Sequence, residues 1–379
     1  MQSGTNPSIT PGLEGVVAAE TRLSSVNGQI GELIIAGFAV EELANKATFE
    51  ETAYLLWYGH LPDPAELHAF KSRLGAYRSL PPATLQLLKA AAMEKVSAMD
   101  ALRMAAGTLS LGSSNSEEEA ALVLTARFPT IVAAYWRLLH GQEVIEPDPA
   151  LDHAANYLTM LHGEQPSAAQ VRGLETYLNT VVDHGLNAST FAARVIIATQ
   201  SDMVSAVVGA IGALKGPLHG GAPGPALDMV FEIGAAERAE PYLRAKLERG
   251  ERLMGFGHRV YKVRDPRADV LAQAAAQMFQ AGGDMALYEL AKAVEATAVS
   301  LLAEYKPGRN LQTNVEFYTA LVLHGLGLET DLFTPTFAIG RVAGWIAHCF
   351  EQMKYGRLIR PQSAYIGERD RQWLPLHER

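Results

Sequence analysis

Cysteine is almost absent, with Cys349 the single one in 379 residues. That excludes a disulfide framework and any CxxC metal site, and it fits a reducing compartment. Cys349 itself is expected as a small buried apolar residue. Charge is also sparse, at 19% of residues with a net charge of −9. A chain with that balance is not expected to bind nucleic acid through its overall field, although a local basic pocket stays compatible with it. Long apolar runs are missing too. The longest, Met203 to Leu214, stops at 12 residues, short of the roughly 18 to 20 of a membrane span. The opening Met1-Gln2-Ser3-Gly4-Thr5-Asn6-Pro7 has neither a basic region nor an apolar core, so no secretory leader is expected. These absences read as a soluble, cytoplasmic chain with no membrane partner.

What the chain does have is apolar residue, at 48%. Disorder is excluded as the main state, and the length suffices to bury a large core. It suits two or three domains, or one large domain with an insertion. The dominant pattern is helical. Thr48-Phe49-Glu50-Glu51 is a capping box ahead of an apolar run, and Gly59 and Pro62 end that segment. Ala65 to Leu74, Pro82 to Met93 and Ala101 to Leu111 read as further helices. Phe191 to Leu214 reads as a helix or helix pair buried on most sides. Leu287 to Tyr305 and Thr336 to Met353 carry 3.6-residue apolar stripes. Only Gly28 to Gly37 resembles a short strand pair, so the expected class is mainly α with a short N-terminal β-hairpin.

Three stretches hold residues able to do chemistry. In Lys215-Gly216-Pro217-Leu218-His219-Gly220-Gly221-Ala222, a histidine sits among glycines before a new helix near Ala226. A helix N-terminus would keep its imidazole neutral, as a hydrogen-bond donor to an oxyanion. A loop histidine capping a turn fits equally. The second stretch is Gly255-Phe256-Gly257-His258-Arg259-Val260-Tyr261-Lys262, followed by Asp265-Pro266-Arg267. Val260 stands where a dinucleotide fingerprint needs its third glycine, and no clear strand precedes it. Arg259, Lys262, Arg264 and Arg267 point to a local anion site, or to a solvated basic loop. The third runs from Tyr305-Lys306-Pro307-Gly308-Arg309-Asn310 to Asn314-Val315-Glu316-Phe317-Tyr318. Glu316 lies between apolar neighbours, as a purposeful buried carboxylate or as a surface residue at a helix start.

Taken together and in order, these stretches resemble the citrate synthase family. Gly12-Leu13-Glu14-Gly15-Val16-Val17-Ala18-Ala19-Glu20-Thr21 is similar to its N-terminal signature. Gly216 to Gly221, and Gly255 to Lys262 with Asp265-Pro266-Arg267, are similar to its two histidine motifs. Asn314 to Tyr318 resembles the family's Asn-Val-Asp-Phe-Tyr. Arg341, within Ala338 to Trp345, and Arg360-Pro361 complete the set. The resemblance runs from about Gly12 to Gly367 and is nearest the shorter bacterial and archaeal branch. That branch lacks an added N-terminal regulatory domain, and none is expected here.

The resemblance implies a two-domain, all-helical fold: a large domain over residues 1–221, a small one over 222–319, and a return to the large domain over 320–379. It implies condensation of acetyl-CoA with oxaloacetate, then hydrolysis of the thioester. Glu316 would be the base, His219 the donor to the enol oxygen, and His258 the acid at the keto group. His184, Arg267, Arg341 and Arg360 would bind oxaloacetate. Arg360 would reach into a partner's site, which implies a homodimer. Coenzyme A would lie over Gly255, Phe256 and Gly257, with Lys262, Lys306 and Arg309 on its phosphates. The CoA thioester is a co-substrate, and no metal or permanently bound cofactor is implied. The other histidines (His60, His68, His140, His153, His162, His324, His348, His377) are expected on the surface or in packing. Five positions depart from the family: Glu316 for Asp, Pro223-Gly224 for Asn-Glu, Gly185 for Glu, and Ala36 for Arg in Ala36-Gly37. They leave open a 2-methylcitrate synthase using propionyl-CoA, a weakly active paralogue with a binding role, and thioester cleavage in the lyase direction.

Overall fold

Helix boundaries follow from local chemistry. Thr48 accepts from the Glu51 N–H while the Glu51 carboxylate accepts from the Thr48 N–H at 2.7 Å, and helix Phe49–Tyr58 follows. Asp63 with Glu66 starts Pro64–Tyr77 in the same way. The computed structural model describes residues 9–111, 116–220, 223–258, 260–282 and 284–379. Gly221, Ala222, Arg259 and the opening Met1 to Pro7 of the sequence reading lie outside these, as does the expected boundary between 221 and 222.

Most expected helices are present, with shifted ends. Pro82–Met93 is as read. The helix expected from Ala101 starts at Ala98, because Ser97 caps it, and it ends at Gly107 in a short 3-10 turn. Phe191 to Leu214 is a pair, Ala188–Ile197 and Met203–Leu214, because Asn187 and Asp202 each cap a helix. The two striped segments are Met285–Tyr305 and Phe333–Tyr355.

One long helix escaped the periodicity reading. Glu117–Leu139 is apolar nearly all round, so it shows no stripe. Its length and hydropathy would suffice to cross a membrane, but 72% of that window is buried inside the protein, as in a core column. It packs against Phe333–Tyr355, Pro82–Met93 and Ala98–Gly107. Cys349 is buried and unpaired, and burial pushes its thiol up to about 12.

The strands begin earlier than expected. β1 (Ser24–Asn27) and β2 (Glu32–Ile35) pair antiparallel with Ser24 opposite Ile35, and β3 (Phe38–Ala39) pairs with β2. Residues 28–31, read as strand, are the hairpin turn. The order β1-β2-β3 leaves β1 on an edge. β1 meets the rest of the protein beside the cleft described next.

Candidate active site

Glu316 is placed by a helix cap. Asn314 precedes helix Val315–Gly325, and its side-chain oxygen accepts from the Glu316 N–H at 3.0 Å. The amide end of Asn314 donates to the Gly257 carbonyl at 2.8 Å. Asn314 N–H donates to Gly255 O at 3.0 Å, and Gly257 N–H to Gln312 O at 2.7 Å. The glycine loop is thus stitched to the start of the helix that bears the carboxylate. Gly255 has φ +87°, and a Cβ there would sit 3.0 Å from the Phe317 side chain, so no other residue fits. Gly255 and Phe256 serve this stitching, and only Gly257 of the three lines the cleft.

Two buried arginines lie behind the carboxylate. Arg267 opens helix Pro266–Gln280, and Asp265 takes its Nε at 3.0 Å and its Nη2 at 2.8 Å. Asp265 also accepts from the Val315 N–H at 3.3 Å, which ties Arg267 to the Glu316 helix. Arg341 is fully buried on Phe333–Tyr355, with its guanidinium 4.6 Å above the Phe337 ring and its Nε bonded to Val181 O. Among the described residues no carboxylate lies within ion-pair distance of it. Burial lowers its pKa to about 10, with Arg267 adding to the effect against the opposing charge of Asp183. A buried guanidinium without a counter-ion has the chemistry to receive an anion.

The three histidines are neutral, each for a visible reason. His258 Nδ1 accepts from the Val260 and Tyr261 N–H groups, both at 3.1 Å, which assigns its proton to Nε2. Burial, then the charge of Arg267, lowers its pKa to about 4. His184 Nε2 lies 3.1 Å from the Tyr261 hydroxyl, and burial with both arginines holds it well below the usual value. The His184 and His258 rings lie 6.2 Å apart. His219 Nε2 accepts from the Ser189 N–H at 3.3 Å and lies 2.8 Å from Ser189 Oγ. Its proton is therefore on Nδ1. Burial and Arg341 lower it to about 4. Ser189 lies in the first turn of helix Ala188–Ile197, so a helix start faces this imidazole.

A cleft of ≈ 610 Å³ gathers His184, His219, His258, Arg267, Glu316 and Arg341 from five separate stretches. Glu316 has no hydrogen bond or ion pair to its carboxylate among the described residues, and burial raises its pKa above 4.5 against the pull of Arg267. The cleft therefore offers an unpartnered carboxylate base, two neutral imidazole N–H donors and two cations. No group of residues able to hold a metal ion occurs among the described residues.

Other expected residues stand apart. Arg360 is exposed on the extended segment after Tyr355, and Lys306 and Arg309 are exposed on the 306–310 turn. Arg264 is not available to an anion, since it pairs with Asp269 at 2.6 Å and Glu295 at 2.8 Å. Thr319, Phe337 and Arg252 line the cleft and were missed from sequence. So were the supporting Ser189, Tyr261 and Asp265. Asp265 ahead of a proline is a helix-start signal that was there to be read.

The family model for the citrate synthase C-terminal domain matches residues 12–362. The citrate synthase of Haloferax volcanii is 41% identical, over 97% of this chain and 98% of its own. A 2-methylcitrate synthase of Shewanella oneidensis is 39% identical, over 97% of both chains. The citrate synthase of Thermoplasma acidophilum, solved as a ternary complex with carboxymethyl coenzyme A and oxaloacetate, superposes with a TM-score of 0.86. It is 29% identical over 98% of this chain and all of its own. In sequence over almost its whole length and in helical architecture, the chain belongs to the citrate synthase family of condensing enzymes.

Proposed function

We propose that the protein condenses acetyl-CoA with oxaloacetate and hydrolyses the resulting thioester, giving citrate and coenzyme A. One observation carries this reading: an unpartnered carboxylate, two neutral N–H donors and an unpaired buried guanidinium face one cleft. Glu316 takes a proton from the acetyl methyl group. His219 Nδ1–H stabilises the negative charge arising on the thioester oxygen. His258 Nε2–H polarises the keto group and protonates the alkoxide as the carbon–carbon bond forms. Arg341, Arg267 and His184 hold the dicarboxylate. Water then cleaves the thioester, and the thiol leaves as coenzyme A.

The coenzyme phosphates are assigned to Lys262, Lys306 and Arg309. Asn310 Nδ2 donates to Lys262 O at 3.0 Å, which draws the 306–310 turn to Lys262 and groups these cations. The reading divides the chain into a large domain (1–221 and 320–379) and a small one (222–319), in a cytoplasmic protein. Closure of the small domain over the cleft would exclude water from the enolate. The test is thiol release with oxaloacetate and a panel of acyl-CoAs. Release that needs both substrates is expected, and release indifferent to oxaloacetate would count against condensation. The 39% identity to a 2-methylcitrate synthase makes propionyl-CoA the main competitor. One methylene separates the two substrates by about 1 to 3 kcal/mol.

The functional unit is proposed to be a homodimer with shared sites. The segment after Tyr355 carries Arg360 and exposes Ile366 at 94% and Trp373 at 78%, more apolar surface than a monomer's tail needs. Arg360→Ala and His258→Ala proteins, each inactive alone, should regain activity when mixed and allowed to exchange subunits. Verified mixed dimers that stay inactive would rule out sharing.

A further inference from the structure

The two residues flanking His184 are held by one hydroxyl. Ser24 Oγ donates to Asp183 Oδ2 at 2.5 Å and accepts from the Gly185 N–H at 2.8 Å. A serine hydroxyl has one proton to give and lone pairs to receive, so a single side chain satisfies both bonds. Asp183 is fully buried, and His348 Nε2 lies 3.2 Å from both its oxygens. Arg194 Nη1 lies 3.0 Å from His348 Nδ1. A guanidinium only donates, so Nδ1 accepts and the His348 proton points at Asp183. The turn that presents His184 is therefore gripped from the β1 side by Ser24 and from behind by His348.

The turn that follows this strand grips the second histidine. At the end of β1, Gly28 O accepts from the Lys262 N–H at 2.8 Å. A Cβ on Gly28 would lie 2.2 Å from Val260 O, so the hairpin touches the loop backbone directly. Val260 N–H is one of the two donors that orient the His258 ring.

We propose that the β1–β2 hairpin positions both histidines: Ser24 on β1 fixes the His184 turn, and Gly28 in the hairpin turn fixes the His258 loop. Ser24 touches no substrate in this account. It acts through His184, so the inference rests on the reading that His184 and His258 hold the keto acid.

The test compares Ser24→Thr with its isostere Ser24→Val, and with Ser24→Ala, by oxaloacetate calorimetry and steady-state kinetics. Loss of the hydroxyl leaves the Gly185 N–H without its acceptor and Asp183 with His348 alone, so Ala and Val should each weaken oxaloacetate binding about tenfold. KM for oxaloacetate should rise in step, while KM for the acyl-CoA stays within about twofold. Thr keeps the hydroxyl and should bind within about twofold of the parent. His184→Ala is the control for the underlying reading and should lose binding. If His184→Ala loses binding while Val binds like Thr, the positioning role is wrong and the site assignment stands. If His184→Ala binds normally, the site assignment fails and the inference fails with it. If Val does not fold, Thr and Ala decide: Thr as weak as Ala would also overturn the proposal.

Discussion

Glu316→Gln is expected to lower turnover at least about a hundredfold, the lower range of general-base contributions, and to leave oxaloacetate affinity within about twofold. Gln keeps the size and the hydrogen-bonding capacity of the side chain but has no basic oxygen. Oxaloacetate rests on Arg341 and Arg267, which this change leaves in place. The pH profile makes the assignment specific. The carboxylate works only when deprotonated, and burial raises its pKa above 4.5. Rate should therefore fall as pH drops through that raised value. His219 and His258 titrate at about 4, so neither contributes a limb near 6.5. Glu316→Asp asks where the backbone stands. A carboxylate set back by one methylene moves up to about 1.5 Å, and a 1 Å displacement costs roughly a hundredfold. Asn314 pins the helix start to Gly257, and Glu316 reaches the cleft from there. Asp is expected to be slower than Glu by about tenfold or more. A Gln enzyme with near-normal turnover would remove Glu316 from the chemistry.

Arg341→Met is expected to weaken oxaloacetate at least a hundredfold without lowering the melting temperature of the free protein. Removing the cation from a buried ion pair costs about 3 to 5 kcal/mol, and the bound dicarboxylate would be the missing half of that pair. In the free protein the guanidinium is buried with no carboxylate within ion-pair distance among the described residues, and the desolvation penalty is already present. Methionine of similar volume removes that penalty. Affinity and stability should part company, as they do where a site is held ready for its ligand. Calorimetry and thermal melts check the two halves separately. A variant that binds normally, or one that melts well below the parent, would mean that Arg341 serves the core.

Much of this was legible in the sequence where the physics is local. The capping box at Thr48, glycine and proline breaks and apolar stripes located helices to within a few residues. Glu117–Leu139 was not legible, because a helix buried on every side has no periodicity to detect. The hairpin was misregistered because Gly28 and Gly31 look like strand interior beside Ile30 and Leu33, while Ser24, Ser25 and Asn27 look like loop. The family resemblance named six side chains that line one cleft: His184, His219, His258, Arg267, Glu316 and Arg341. It could not reveal tautomers, which depend on Ser189 meeting His219 and on the local fold around His258. Nor could it separate Arg264, which pairs with Glu295, from Arg341, which has no carboxylate partner among the described residues. Those facts arise from contacts between stretches far apart in the chain. The part that Arg341 plays in keeping His219 neutral was hidden for the same reason, since it lies 122 positions on.

Carbon tracing tests the central claim most directly. The protein is incubated with acetyl-CoA carrying 13C at both acetyl carbons, together with oxaloacetate, and the products are read by NMR. Condensation predicts both labels in a six-carbon tricarboxylate, one per coenzyme A released. Label recovered as free acetate would mean that the cleft cleaves thioesters without forming a carbon–carbon bond, and would contradict the roles given to Glu316, His219 and His258.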